Sequence, residues 1–217
     1  MGEFDATTFE ELFQGVLALP WEELMPPDAF MHVNGKSVKS LLHSVPDCQS
    51  ITKKAIVSAM SRNYPGVVFK EDGPTYKIEV ALLKDHVTMT IDTTGAGLHK
   101  RGYRKDSGAA PLKETLAAAI VMLSGWKGEV PLYDPFCGSG TILIEAAMIA
   151  RNMAPGIYRK FACEAWPNFI EEDPFSMVRQ GARSAVDHDK KLSIYGYDKD
   201  TWVLSTAKAN AKKANVY

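Results

Sequence analysis

Short apolar segments alternate with longer helical ones over the second half of this 217-residue chain. Residues 130–134 and 193–198 have the pattern of short buried strands, whereas residues 141–151 and 201–214 have apolar side chains at helical spacing. The order strand, helix, strand, helix is typical of a parallel α/β sheet, because parallel strands need a crossover between them. Two parallel strands could not cover themselves, so we predict an α/β domain that is cut short or borrows structure from another chain.

The first half of the chain has the patterns of a small α+β domain. Thr8 and Glu11 match a capping box at the start of a helix, and Lys84-Asp85 lies between two alternating segments as a hairpin turn would. The patterns predict helices over residues 9–19 and 49–63, a short strand over 30–33 ending at Asn34-Gly35, and hairpin strands over 76–82 and 87–91. Residues 111–123 predict one more helix before the α/β segment.

Composition is that of a globular protein of the cytosol. Hydrophobic residues make up 46% of the chain and charged residues 24%, which excludes disordered, collagen-like and coiled-coil classes. No apolar run reaches the ~18 residues of a membrane span, and the first residues lack the pattern of a signal peptide. The three cysteines form no Cys-x-x-Cys pair and the histidines lack ligand spacing, so we expect reduced thiols, a cytoplasmic location and no metal site.

The net charge of −1 conceals an uneven distribution. Residues 1–98 hold 8 Lys and Arg against 13 Asp and Glu, whereas residues 99–217 hold 17 against 13. The positive excess begins with a cluster of basic residues: His99, Lys100, Arg101, Arg104 and Lys105. With Tyr103 among them, these side chains could contact phosphates and stack on a base, or they could form a solvated linker between domains whose tyrosine packs on a neighbour.

The most informative segment is Asp134-Pro135-Phe136-Cys137-Gly138-Ser139-Gly140-Thr141, between a predicted strand and a predicted helix. Small residues at such a junction let a ligand approach the backbone, and the helix amides offer hydrogen bonds. Gly140 stands where a Walker loop needs lysine, and Leu143 stands where a dinucleotide fingerprint needs a small residue, so neither nucleoside triphosphate nor NAD fits.

A second carboxylate, Asp198, ends the next predicted strand. Acidic residues at the ends of two adjacent strands suit S-adenosylmethionine, with Asp134 facing the methionyl ammonium and Asp198 the ribose hydroxyls. The alternative is structural: a tight glycine turn, a solvated Asp134 and a helix-start carboxylate at Asp198. We expect Asp200 to cap the helix that begins at Thr201.

The same loop, continued by Ile142-Leu143-Ile144-Glu145-Ala146-Ala147, resembles motif I of the RNA guanine-N2 methyltransferases that carry an N-terminal THUMP domain. Residues 21–24, 36–40 and 49–56 are similar to the THUMP part of this family. Residues 98–104 are similar to the segment that joins the two domains, and residues 111–118 to the helix before motif I. Residues 154–156 and 166–167 are similar to the family's insertion.

The resemblance implies an α+β THUMP-like domain over residues 1–98, a basic linker over 99–110, and the first part of a Rossmann-like class I methyltransferase domain over 111–217 with an insertion at 152–191. It also implies S-adenosyl-L-methionine as the methyl donor and structured RNA, specifically 23S ribosomal RNA, as the substrate. The cofactor-binding residues expected are Asp134, Pro135, Phe136, Gly138, Ser139, Gly140, Thr141, Asp198, Lys113 and Glu114. The RNA-binding residues expected are Lys100, Arg101, Tyr103, Arg104, Lys105, Lys53 and Lys54.

The sequence departs from the family in two ways. Members begin with a further ferredoxin-like segment, and they carry an Asn/Asp-Pro-Pro-aromatic motif that accepts the guanine amine; no Pro-Pro pair follows Pro26-Pro27 here. We therefore expect a chain truncated at both ends, without catalytic residues and inactive alone. Two other functions remain open: a non-catalytic RNA-binding or assembly module, and a DNA amino-methyltransferase, which uses a similar glycine loop.

Overall fold

The computed structural model describes residues 1–104, 112–167 and 174–217. The chain divides into two compact units: unit 1 is Met1–Gly95 with Phe161–Glu172, and unit 2 is Ala96–Lys160 with Asp173–Tyr217. Part of the predicted insertion thus belongs to the first unit.

Unit 1 is an α+β fold around a four-stranded sheet. Its elements are β1 (Gly2–Asp5), α1 (Phe9–Leu17), α2 (Trp21–Leu24), β2 (Phe30–Val38), α3 (Val45–Asn63), β3 (Thr75–Leu83) and β4 (His86–Ile91). The strand order is β1-β4-β3-β2, with β2 parallel to β3 and the other pairs antiparallel. Helix α3 packs against α1, α2 and β2.

Two local predictions in unit 1 are confirmed. At the start of α1 the Glu11 amide donates to Thr8 Oγ1 at 3.2 Å and the Thr8 amide donates to Glu11 Oε2 at 3.1 Å, which completes the capping box. Between β3 and β4, Lys84 and Asp85 have φ of 52° and 65°, as a two-residue hairpin turn requires.

The prediction of a short strand over residues 30–33 has the right first residue, but its end was wrong. Strand β2 continues through Asn34 and Gly35 to Val38, because the parallel partner β3 pairs with it along its whole length. A β-carbon on Gly35 would lie 2.9 Å from Val45 Cγ1, so the glycine admits the start of α3 rather than a turn. Strand β1 and helix α2 had no sequence prediction.

The segment after Lys160 adds a 3-10 helix, Ala162–Ala165, to unit 1. Its amides reach back to the carbonyls of Thr93 and Thr94. Trp166 stacks on Tyr76 with ring centroids 4.4 Å apart and donates from Nε1 to the Thr75 carbonyl at 3.1 Å. This segment therefore closes over one end of β3 and contributes to the same core.

Unit 2 contains the predicted strand–helix–strand–helix order. Its elements are α4 (Glu114–Ser124), β5 (Leu132–Asp134), α5 (Thr141–Ala150), α6 (Pro174–Ser184), β6 (Ile194–Gly196) and α7 (Thr201–Lys213). Strands β5 and β6 pair in parallel and are shorter than predicted. Opposite residues Tyr133 and Tyr195 stack at 5.0 Å and are 60% and 45% exposed, so this face of the strands is open to solvent.

Helix α4 begins at Glu114, three residues after the predicted start; Pro111 lies outside the described residues. No helix within the described ranges is long and apolar enough to cross a membrane.

Candidate functional site

The loop between β5 and α5 is built around two glycines in the left-handed region. Gly138 has φ +52° and Gly140, which precedes the first residue of α5, has φ +82°. The Gly140 amide donates to the Cys137 carbonyl at 2.8 Å and closes a tight turn. A β-carbon on Gly140 would also lie 3.1 Å from Ala207 Cβ, so conformation and space both favour glycine there.

Asp134 begins this loop at the carboxyl end of β5. Its Oδ1 accepts the Phe136 amide at 3.0 Å, which bends the chain out of the strand. The Tyr197 amide donates to the Asp134 carbonyl at 2.9 Å and the Cys137 amide donates to the Tyr197 carbonyl at 2.8 Å. The loop is thereby tied to the end of β6.

Asp198 contacts the centre of the same loop. Its Oδ2 accepts the Gly138 amide at 3.0 Å and its Oδ1 accepts the Asp200 amide at 3.0 Å. These amides, that of Asp200 before that of Gly138, hold the pKa of the Asp198 carboxyl below its usual range. The expectation that Asp200 caps α7 is confirmed, because its Oδ1 accepts the Trp202 amide at 2.8 Å.

Both carboxylates lie near the Cys137 thiol. Burial raises the pKa of this thiol, and the charges of Asp134 and Asp198 raise it further. A carboxylate has about four acceptor positions, so Asp198 can accept from a ligand donor in addition to the Gly138 and Asp200 amides.

A buried asparagine of α7 supports the loop, and the sequence patterns did not predict this contact. Asn210, which is 2% exposed, donates from Nδ2 to the Ser139 carbonyl at 3.2 Å. The sequence signal for this contact was a polar residue at helical spacing from Ala207 and Ala214. A buried amide needs a hydrogen-bond partner, so an asparagine on an otherwise apolar helix face predicts one nearby.

Three residues expected to bind RNA are instead packed inside unit 2. Tyr103 is 4% exposed, lies in a core cluster with Ile144 and Met148, and donates to Glu145 Oε1 at 3.0 Å. Arg101 and Arg104 have side chains only 10% and 12% exposed and pair with Glu145 and Glu114. The RNA prediction for these three is corrected, because a ring and guanidinium groups buried against protein cannot face a nucleic acid.

The other candidate RNA-contact residues lie at the surface or outside the described residues. Lys53 pairs with Glu71 at 2.8 Å, and Lys54 lies 5.9 Å from the Phe13 ring centre. Lys100 is exposed, and Lys105 lies outside the described residues.

The two cofactor candidates before motif I differ in environment. Lys113 is exposed and stands directly before α4 without a capping side-chain hydrogen bond, whereas Glu114 is 4% exposed and faces the Arg104 guanidinium. Glu114 is thus occupied by an ion pair in the described structure. Around the loop, Pro135 and Phe136 are exposed, Phe136 at 87%, while Thr141 is 5% exposed.

A separate cavity of about 470 Å³ opens between α5, β6 and α7. It is lined chiefly by apolar residues such as Leu143, Ile194 and Leu204. Cys137 and Gly140 of the loop also line it, whereas neither Asp134 nor Asp198 does.

The fold of unit 2 is that of an α/β protein with a glycine-containing loop at the carboxyl edge of two parallel strands, where α/β proteins commonly bind ligands. Residues 101–217 match the family described as "RMKL-like, methyltransferase domain", and residues 6–92 match the THUMP domain. The chain belongs to this methyltransferase family and carries a THUMP domain before the methyltransferase segment.

Longer proteins match nearly all of the chain. A Bacillus subtilis protein named "Putative RNA methyltransferase YpsC" is 46% identical over 218 residues, which is 100% of this chain and 56% of that protein. A Listeria monocytogenes structure described as a "predicted N6-adenine-specific DNA methylase" is 52% identical with TM-score 0.95, over 99% of this chain and 57% of the other. A structure described as "SMU.472, a putative methyltransferase complexed with SAH" is 48% identical with TM-score 0.93, over 99% of this chain and 58% of the other. The chain thus spans little more than half the length of these relatives.

Proposed function

We propose that this chain binds S-adenosylmethionine at the loop of residues 134–141 and serves RNA methylation. The observation that carries the proposal is the pair of carboxylates, Asp134 and Asp198, fixed at one glycine turn by backbone hydrogen bonds. The SAH bound by the related SMU.472 supports this choice of ligand.

The donor site would work by position and charge. When bound, the sulfonium group supplies an activated methyl. The Asp198 oxygens, oriented by the Gly138 and Asp200 amides, are arranged to accept ribose hydroxyls, and Asp134 is arranged to attract the methionyl ammonium. The bare loop lets the donor approach the first amides of α5, and such orientation can be worth ~7 to 11 kcal/mol to a bimolecular reaction.

The substrate proposed is the N2 amine of guanine in structured RNA, specifically 23S ribosomal RNA. The THUMP domain and the RNA methyltransferase name of the Bacillus relative support RNA, and the motif resemblance supports guanine N2. No Pro-Pro pair follows Pro26-Pro27 in the 217 residues. We therefore expect this chain alone to bind the donor and to transfer no methyl group.

Calorimetric titration of the chain with SAH tests the donor site. Asp198→Asn keeps the shape of the side chain but removes the charge, so it should weaken binding; Asp134→Asn should do the same. Asp189→Asn, at an exposed position outside the loop, is the control for a lost charge. Absence of binding, or equal binding by the three variants and the wild type, would contradict the proposal.

A DNA amine is the second candidate substrate, since the Listeria relative is described as an adenine-specific DNA methylase. Electrophoretic shift with matched RNA and DNA hairpins, at two salt concentrations, separates the two. Salt-sensitive binding of RNA in preference to DNA is expected; preference for DNA would favour the second candidate.

A further inference from the structure

Two arginines from the segment before α4 are buried against the first two turns of α5. Arg104 contacts Thr141, the first residue of the helix, and Arg101 contacts Glu145, one turn later. Both belong to unit 2, and neither is explained by the donor site as proposed. Their different positions along α5 suggest different roles.

Arg104 joins three parts of the unit. Its Nη2 donates to Thr141 Oγ1 at 2.8 Å and to the Leu112 carbonyl at 2.9 Å, and its Nε lies 3.6 Å from Glu114 Oε1. The side chains of Arg104 and Glu114 are 12% and 6% exposed. A guanidinium group presents its donors in a fixed fork, so these contacts define one position for each partner.

Thr141 links Arg104 to the glycine loop. It follows Gly140 directly, and the Gly140 and Gly138 backbones have left-handed conformations. Two glycines confer little stiffness of their own, because glycine reaches many backbone conformations at low cost. The loop must therefore be held by contacts from outside it: Asp198 bonds the Gly138 amide, Asn210 bonds the Ser139 carbonyl, and Arg104 bonds Thr141, where the loop ends.

We propose that Arg104 is a positioning residue of the donor site, which holds Thr141 and thereby the Gly138–Gly140 turn in the shape that binds the donor. The inference rests on the proposed function of that turn. Glu114 acts with Arg104, because the carboxylate balances the buried guanidinium charge and fixes its orientation. This gives Glu114 an indirect role in place of the direct cofactor contact expected from the resemblance.

Arg101 is a matched control, because it contacts the same helix, α5, from the same segment of chain. Its Nη2 lies 3.4 Å from Glu145 Oε2, and its burial equals that of Arg104 within 2 percentage points. It contacts α5 a full turn beyond the loop. Loss of either arginine leaves a buried carboxylate without its cation, so Arg104→Met and Arg101→Met should both lower the thermal midpoint.

Two measurements on the full chain separate positioning from stability: SAH affinity by calorimetry, and amide hydrogen exchange at Gly138 and Gly140 by NMR. Arg104→Met should weaken SAH binding about tenfold and speed exchange at both glycines about tenfold, as expected for loss of a charged hydrogen bond. Arg101→Met should leave both quantities within about twofold of wild type. Equal effects of the two variants, or wild-type values for Arg104→Met, would overturn the inference.

Arg104→Lys and the hydrogen-exchange measurement cover the cases in which Arg104→Met does not fold or the wild type binds no SAH. Arg104→Lys retains the charge facing Glu114 but cannot also bridge Thr141 and Leu112, so it should give intermediate values, and wild-type values would count against positioning. It takes the place of Arg104→Met should that variant fail to fold. If the wild type binds no SAH, the donor proposal fails, whereas the exchange rates still show whether Arg104 holds the turn.

Discussion

Asp198 is the residue whose ionisation most directly links the loop to pH. Its folded pKa is lowered by the Asp200 and Gly138 amides, so it lies below the unfolded value of about 3.9. The ionised carboxylate therefore contributes fully to the free energy of unfolding above the unfolded pKa, and this contribution is lost as the pH falls through the folded pKa.

The comparison of wild type with Asp198→Asn measures this contribution. The difference in urea midpoint should be constant from pH 7 down to about 4 and should shrink below it. Asp189→Asn, which carries no such amide contacts in the described structure, should show no corresponding change. A difference that grows toward acid pH would contradict the assigned hydrogen bonds.

The three cysteines should react slowly in the folded chain. Cys48, Cys137 and Cys163 are 1%, 8% and 5% exposed, and burial raises the pKa of each thiol. Less thiolate is present at pH 8 than in an unfolded chain, and a reagent has little access. Disulfide-exchange titration should show three slow thiols in buffer and three fast ones in urea; a fast thiol in buffer would contradict the burial.

At this residue scale the sequence predicted what is local and missed what is distant. The tight glycine turn and the Asp200 cap depend on neighbours within a few residues, so spacing revealed them. Asn210 and Arg104 contact the loop across 71 and 37 residues of chain. A basic residue beside a tyrosine has the same pattern whether it faces RNA or a buried glutamate, and only packing decides between them.

Helix α5 approaches strand β6 closely at Gly196. A β-carbon on Gly196 would lie 2.4 Å from Leu143 Cδ1 and 2.9 Å from Cys137 Sγ. Gly196→Ala should therefore destabilise unit 2 by about 1 to 3 kcal/mol, the usual cost of overpacking.

Gly181 in α6 provides the control. No atom of the described residues outside the helix backbone lies within 4 Å of the position where its β-carbon would be, and alanine in a helix interior is favoured over glycine by about 0.5 to 1 kcal/mol. Gly181→Ala should raise the urea midpoint and Gly196→Ala should lower it. Equal changes in both variants would refute the close approach of α5 to β6.

Elements with a strong internal period were predictable, whereas those defined by a partner were not. Helices α5 and α7 and the hairpin of β3 and β4 follow the sequence patterns closely. Strand β2 runs through Asn34-Gly35, a typical turn pair, because β3 supplies hydrogen bonds to it, and β1 is a four-residue strand ordered by pairing with β4. The contacts of both strands are remote in sequence, so a local pattern carries little of their stability.

At the scale of the whole chain, the two units are packed unequally. Of the twelve largest fully buried side chains among the described residues, eleven belong to unit 1 and only Glu145 belongs to unit 2. Unit 1 has a four-stranded sheet, whereas the described part of unit 2 pairs two short strands. Two strands with one face open to solvent form a marginal sheet.

The packing predicts that the units unfold separately, unit 2 at lower denaturant. Trp21 and Trp166 are buried in unit 1, and Trp126 and Trp202 lie in unit 2, so a chain with Trp126→Phe and Trp202→Phe reports only unit 1 by fluorescence. Its fluorescence midpoint in urea should exceed the midpoint of the first transition in circular dichroism. Gly196→Ala should shift only the transition of unit 2, at lower urea. Met60→Ala, at a fully buried position of unit 1, should shift only the transition at higher urea, because it lowers the unfolding free energy of unit 1 by about 2 to 5 kcal/mol. Coincident transitions that both variants shift together would mean that the units share one cooperative core.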